Sequence, residues 1–198
     1  LMDHLDDWRD HLIAKGGTAK HANLSRTRAL QVVTIAKARR ISDLSLSRVQ
    51  GALALLQAEG RSIETINHHV RAVKGFARWL WKDGRVREHP LAHLSTTSAA
   101  ADRRRVRRAL TADEALALIS AAENGPIVQG ITGQDRAMVY RVALGTEFRA
   151  SELASLTPES FHLNENPPLI VCSASYTKNG RLAEQPIPDA LTALLAPW

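Results

Sequence analysis

The sequence predicts a mainly α-helical chain with a small β-hairpin or sheet near its end, divided into two domains. Three observations carry that prediction. Apolar residues recur at helical spacing from residue 2 to about residue 83. The tract RRRVRR at 103–108 then interrupts the pattern with no apolar period at all. Beyond it, helical spacing returns but gives way to extended structure in PPLIVCSASYTKNGRLAEQPIP.

The elements follow in order. Residues 2 to 15 place Leu5, Trp8 and Leu12 on one helix face, and Gly16-Gly17 stops them. A second helix is expected from Thr18 to Arg40 and a third from Ser47 to Glu59, before Gly60. The fourth, SIETINHHVRAVKGFARWLWKDG, has Ser62 as N-cap and Gly84 as its stop. Its residues Ile63, Ile66, Val70, Val73, Ala77 and Leu80 form one buried stripe. Residues 96 to 109 read as a basic linker between domains 1–95 and 110–198, expected to be mobile because it lacks an apolar face. TADE, Thr111 to Glu114, then opens a helix as a capping box. Helices are expected at 112–123, 132–145 and 150–156, and a last one after Pro188. Asn179-Gly180 between two extended runs predicts a two-residue type I′ hairpin with Lys178 at its turn.

Composition narrows the function classes. The single cysteine, Cys172, excludes an internal disulfide and a cysteine-rich zinc site. The eight histidines show no HExxH spacing, and His68-His69 are adjacent on a helix and point apart, so no metal site is expected. No apolar run reaches the roughly 18 to 20 residues that span a bilayer, and LMDHLDDWRDH lacks signal-peptide order, so a cytoplasmic protein without a membrane is expected. The net charge of +6 points to a polyanionic partner. Its distribution is sharper than its total: residues 1–97 hold 16 basic against 9 acidic residues, 103–108 add five arginines, and 109–198 hold 5 basic against 10 acidic.

Within the fourth helix, His68, Arg71, Gly75, Arg78 and Lys82 line the face opposite the buried stripe, with Lys74 beside them. Such a stripe, with a glycine at its centre, would let a polyanion approach the backbone closely; the alternative is a solvated helix face that happens to be basic. Arg103, Arg104, Arg105, Arg107 and Arg108 extend the same charge into the linker.

Three stretches in order, SIETINHHVRAVKGFARWLWKDGRVREHPL, GTEFRASELASLTPES and YTKNGRLAEQPIP, resemble the tyrosine recombinases, the phage-integrase type of site-specific recombinase. The likeness covers nearly the whole chain. It implies a helical, SAM-like core-binding domain over residues 1–95, followed by a partial α+β recombinase catalytic domain. It implies that Arg149 is the first catalytic arginine, that Glu152 supports it, and that Lys178 is the lysine of the β-hairpin. The implied partner is double-stranded DNA, with self-association as a tetramer on DNA in the full-length protein and no metal or other cofactor.

The chemistry suits those residue types. A tyrosine attacks a phosphodiester, negative charge gathers on the non-bridging oxygens, and arginine offers planar bidentate donors that stay charged. At a helix start, Arg149 would be helped by the positive end of the dipole. A lysine can stabilise charge and protonate the departing 5′ oxygen. The competing readings are a salt bridge from Arg149 to Glu152 or Glu147, and an exposed turn lysine at 178. Glu147 departs from the glycine usual in the family two residues before the arginine. The family's later His-x-x-Arg segment, its further His or Trp and its tyrosine would lie beyond Trp198. Tyr140, expected in the core, and Tyr176, on the hairpin, are not assigned as nucleophile. The alternative function is a non-catalytic DNA-binding or regulatory protein that retains the fold.

Overall fold

The computed structural model describes every residue of the chain except Arg105. It divides into two compact units, Leu1–Arg107 and Arg108–Trp198.

The first unit is built from four helices, α1 (Met2–Ala14), α2 (Ala19–Ile35), α3 (Leu46–Ala58) and α4 (Ile63–Lys82). Hydroxyl side chains start three of them: Thr18 accepts from the amide of His21, Ser45 from Arg48 and Ser62 from Thr65. Each satisfies one of the donors a helix leaves unpaired at its first turn. α4 lies at the centre, and its buried face is wider than one stripe. Asn67, His69, Phe76 and Trp79 are buried along with Val70, Val73, Ala77 and Leu80, whereas Ile63 and Ile66 are half-buried.

α2 stops five residues short of the expected Arg40. Lys37 adopts a left-handed conformation, φ 52°, and the amide of Ala38 returns to the carbonyl of Val33 at 3.1 Å, which seats Ala38 in the core. No glycine announces this stop, so burial of Ala38 offsets a backbone conformation that a lysine rarely adopts.

Residues 97–104 of the expected linker bond to the first unit. The Thr97 amide donates to Asn67, whose own amide side chain donates to the Thr97 carbonyl at 2.7 Å. The Asp102 carboxylate accepts the Ile63 amide at 2.6 Å, and Arg104 donates to the Gly60 carbonyl at 2.9 Å.

The second unit comprises α5 (Ala112–Glu123), α6 (Gly133–Thr146), α7 (Ala150–Leu153), a three-stranded antiparallel sheet and α8 (Asp189–Leu195). The strands β1 (Phe161–His162), β2 (Leu169–Cys172) and β3 (Ala183–Pro186) lie in chain order. The capping box at Thr111 and Glu114 forms as the sequence requires. α7 is a single turn rather than seven residues, because Pro158 forces Thr157 into extended backbone, φ −123° and ψ 169°. Its dipole is correspondingly small.

The hairpin differs from expectation. Pairing ends at Cys172 opposite Ala183, so residues 173–182 form a loop. Gly180 has a positive φ of 65° and Asn179 does not, which excludes the type I′ turn. Side chains take over from the ladder: Thr177 Oγ1 accepts the Arg181 amide at 3.1 Å and donates to its carbonyl at 2.7 Å, while Asn179 Oδ1 accepts the same amide. Strand β1 was not expected. Tyr140 is half-buried rather than in the core, and Tyr176 is exposed.

Candidate active site and nucleic-acid face

The turn between α6 and α7 sets the position of Arg149. Thr146 Oγ1 donates back to the Val142 carbonyl at 2.7 Å and accepts the Phe148 amide at 3.3 Å. Between them Glu147 takes a left-handed conformation, φ 56° and ψ 17°. That geometry gives a physical reason for the glycine usual at this position, since a glycine adopts it without Cβ strain. The chain then turns Phe148 toward the second core and starts α7 with Arg149 as its extended N-cap.

Glu152, three residues on, holds the arginine twice. Its carboxylate accepts the Arg149 amide at 2.7 Å and the Arg149 guanidinium Nη1 at 2.9 Å. The glutamate side chain is 4% exposed and that of the arginine 64%, so one edge of the guanidinium is anchored while the rest faces solvent. The carboxyl is held below the usual carboxylate range, first by the Arg149 backbone amide, then by the guanidinium. The backbone amide of Lys178 adds the last and smallest share of the same effect. The Lys178 residue itself is exposed. Glu147 is also exposed, and the ion pair of Arg149 runs to Glu152.

On the first unit, the outer face of α4 divides into free and committed cations. Arg71, Arg78 and Lys82 are exposed; Arg71 meets Glu64 at 3.0 Å. Lys74 is half-buried and donates to the Leu94 carbonyl at 2.5 Å, so its ammonium serves the fold. Burial, then the nearby Arg28 charge, pushes the His68 imidazole below its ordinary value, leaving it a neutral hydrogen-bonding group at pH 7.

Two shallow grooves run beside this face. One carries Lys15, the C-cap of α1, with Gly75, Arg78 and Lys82; the other carries His21, Ser25 and Arg28 of α2 with His68 and Arg71. Lys15, His21, Ser25 and Arg28 were not among the residues expected from sequence. The last three stand at i, i+4 and i+7, a spacing that would have revealed them as one polar face.

The arginine tract is likewise mixed. Arg103 and Arg107 are exposed, Arg104 bonds Asp102 and Gly60, and Arg108 pairs with Glu114. Arg105 lies outside the described residues. The Arg108 guanidinium is the first cause that lowers the Glu114 carboxyl to about 2. Among the described residues, no group of three metal-ligating side chains occurs, and no helix is long and apolar enough to cross a membrane.

Two helical and mixed units with this three-stranded sheet make up the fold of a DNA integrase. The structure superposes on the Tn1549 transposon integrase, solved in complex with a circular intermediate DNA, with a TM-score of 0.68 and 18% identity, covering 98% of this chain and 64% of that one. A second structure of that integrase, with transposon right end DNA, gives a TM-score of 0.66 at 17% identity and covers 96% and 62%.

In sequence the chain is similar to tyrosine recombinases. It is 29% identical over 157 residues to tyrosine recombinase XerC of Mycobacterium tuberculosis, covering 77% of this chain and 51% of that protein. XerC of Pseudomonas aeruginosa is 26% identical over 198 residues, 98% of this chain and 61% of its own length. XerD of Listeria monocytogenes is 25% identical over 169 residues, with 83% and 54% covered. No family model matches the chain. The chain spans about half the length of the curated relatives it matches.

Proposed function

We propose that the chain binds duplex DNA through its phosphates and holds one phosphodiester at Arg149 and Lys178, as the DNA-gripping part of a site-specific tyrosine recombinase. The observation that supports this most is the buried Glu152, which anchors Arg149 by its amide and one guanidinium nitrogen while the rest of the guanidinium stays open to solvent. In this role Arg149 donates to the non-bridging oxygens, where the charge of the transition state develops. Lys178 lends charge and gives its proton to the departing 5′ oxygen. Glu152 positions Arg149 and touches neither DNA nor the reacting atoms.

His68, Arg71, Lys74, Arg78 and Lys82 of α4, with Arg103, Arg104, Arg105, Arg107 and Arg108, form the non-specific phosphate contact, Lys74 acting through its hold on residue 94. The recombinase relatives and the integrase–DNA complexes support DNA as the partner. In a longer protein, a tyrosine oxygen attacks phosphorus, the 5′ oxygen leaves with the lysine proton, and the DNA is held as a 3′ phosphotyrosine until rejoined. Assembly as a tetramer on DNA, in the cytoplasm, completes the reading.

Two measurements test it. The 198-residue chain should bind duplex DNA with log affinity falling linearly against log salt, each phosphate contact adding a slope of about −0.9. Salt-insensitive binding counts against phosphate contact. On a nicked substrate that traps the covalent intermediate, the chain alone should form no adduct, whereas a longer version carrying a tyrosine should form one and lose it as Arg149→Ala. An adduct from residues 1–198 would move the nucleophile into this chain.

A further inference from the structure

Of the eleven glycines, five have a positive φ, and four more have a neighbour under 3 Å from any added Cβ, as at Gly17, 2.7 Å from the Leu12 carbonyl oxygen. Backbone conformation or a close neighbour favours glycine at all nine. Two remain, Gly51 in α3 and Gly75 in the middle of α4. A Cβ on Gly75 would meet only Trp8 Cζ2, at 3.5 Å, an ordinary contact. Alanine would therefore fit there, and it suits a helix interior better than glycine does. Packing and backbone geometry leave this glycine unexplained.

Its surroundings supply a reason. Gly75 lines a groove together with Lys15, Arg78, Lys82, Trp8 and Asp83. Arg71 stands one turn before Gly75 on the same helix and Arg78 one turn after it. Gly51 has no such setting. Its one neighbouring cation, Arg48, already pairs with Asp43 at 3.3 Å.

We infer that Gly75 is the seat of the DNA sugar-phosphate backbone on α4, the point where a missing side chain lets the strand approach the helix and come within reach of Arg78, Lys82 and Lys15. This rests on the DNA-binding reading above and adds a steric contact to its charges. Glycine serves this purpose wherever a ligand must come close to backbone.

The test compares Gly75→Ala and Gly75→Gln with Gly51→Ala, Gly51→Gln and Arg78→Ala, by fluorescence anisotropy on a labelled random-sequence duplex across a salt series. Gly75→Ala should weaken binding about tenfold, the size expected of a methyl forced into a close contact. Gly75→Gln should weaken it further. Both should keep the wild-type salt slope, because no cation is lost, and neither should lower the thermal midpoint. The Gly51 variants should bind as wild type. Arg78→Ala weakening binding while both Gly75 variants bind normally would overturn this inference and leave the DNA-binding reading standing. So would Gly75 variants whose binding falls only together with their thermal midpoint, or Gly51 variants that fall equally. A wild-type chain that binds no duplex at low salt would remove both.

Discussion

The first unit closes twenty buried apolar residues around α4, whereas the second gathers six, Met138, Val142, Ile170, Ile187, Leu191 and Leu195, and leaves Leu116, Ile127 and Val139 largely in solvent. In the proposed function, the two units carry different tasks on different foundations. The basic face of α4 is the reverse of a helix whose inner side is fixed by Phe76, Trp79 and Leu80, so its cations project from a rigid support. Arg149 sits on a one-turn helix and Lys178 in a loop, and the position of Arg149 depends on a single carboxylate more than on packing. Affinity needs a firm surface. Chemistry at one phosphate needs a few atoms held by specific bonds.

The largest expected effect tests the difference in cores. Phe76→Ala, at a fully buried position, should cost about 3 to 5 kcal/mol, and Ile170→Ala about 2 kcal/mol, because a shallow core relaxes more easily. Hydrogen exchange of α4 amides against β2 amides reads the two separately. Equal losses would erase the distinction between the units.

Next comes the division of labour. In a longer protein bearing the tyrosine, Glu152→Gln should slow DNA cleavage by about 10- to 100-fold, the range for supporting groups around a reactive centre. Duplex affinity should stay within about threefold, since affinity is assigned to phosphate contacts elsewhere. Because the Glu152 carboxyl is held below the usual range, its hold on Arg149 should persist at neutral pH and disappear only as pH falls through that lowered value. A parallel loss of affinity and cleavage would place Glu152 in the fold rather than in the site.

Arg71→Ala and Arg78→Ala together should flatten the salt slope by up to about 1.8, one contact each, without altering adduct formation by bound complexes. An unchanged slope would make the outer face of α4 ordinary solvated surface. The smallest effect belongs to Glu147. Glycine there removes the left-handed strain but frees the unfolded chain, so Glu147→Gly should raise stability by about 0.5 kcal/mol at most. A lower thermal midpoint would show that its side chain contributes something the backbone angle does not.

Much of this was legible in the sequence. The four helices of the first unit and the Thr111–Glu114 capping box follow from periodicity and hydroxyl caps, which act within a few residues of where they are read. The end of α2 was not legible, because Lys37 carries no local sign of a left-handed turn. Asn179-Gly180 misled because the side chains of Thr177 and Asn179 capture the backbone that a tight hairpin would use. The commitment of Lys74 to Leu94 and of Asp102 to Ile63 is long-range and leaves no mark on spacing. In the site, the types and order of Arg149, Glu152 and Lys178 were visible, but the capping of the Arg149 amide by the same carboxylate that holds its guanidinium was not. That bond depends on the turn that starts α7, which spacing does not show.

The anchoring carboxylate has a consequence in genetic terms. If Glu152 holds Arg149 in place, alleles at these two positions are not independent. A lesion at 152 should be epistatic to a lesion at 149: once the anchor is gone, a second substitution finds little left to lose. Compensation follows the same logic. A suppressor of a mutant Glu152 would have to supply a new acceptor for both the amide and the guanidinium of Arg149, so revertants should be rare and should map to residue 152 itself.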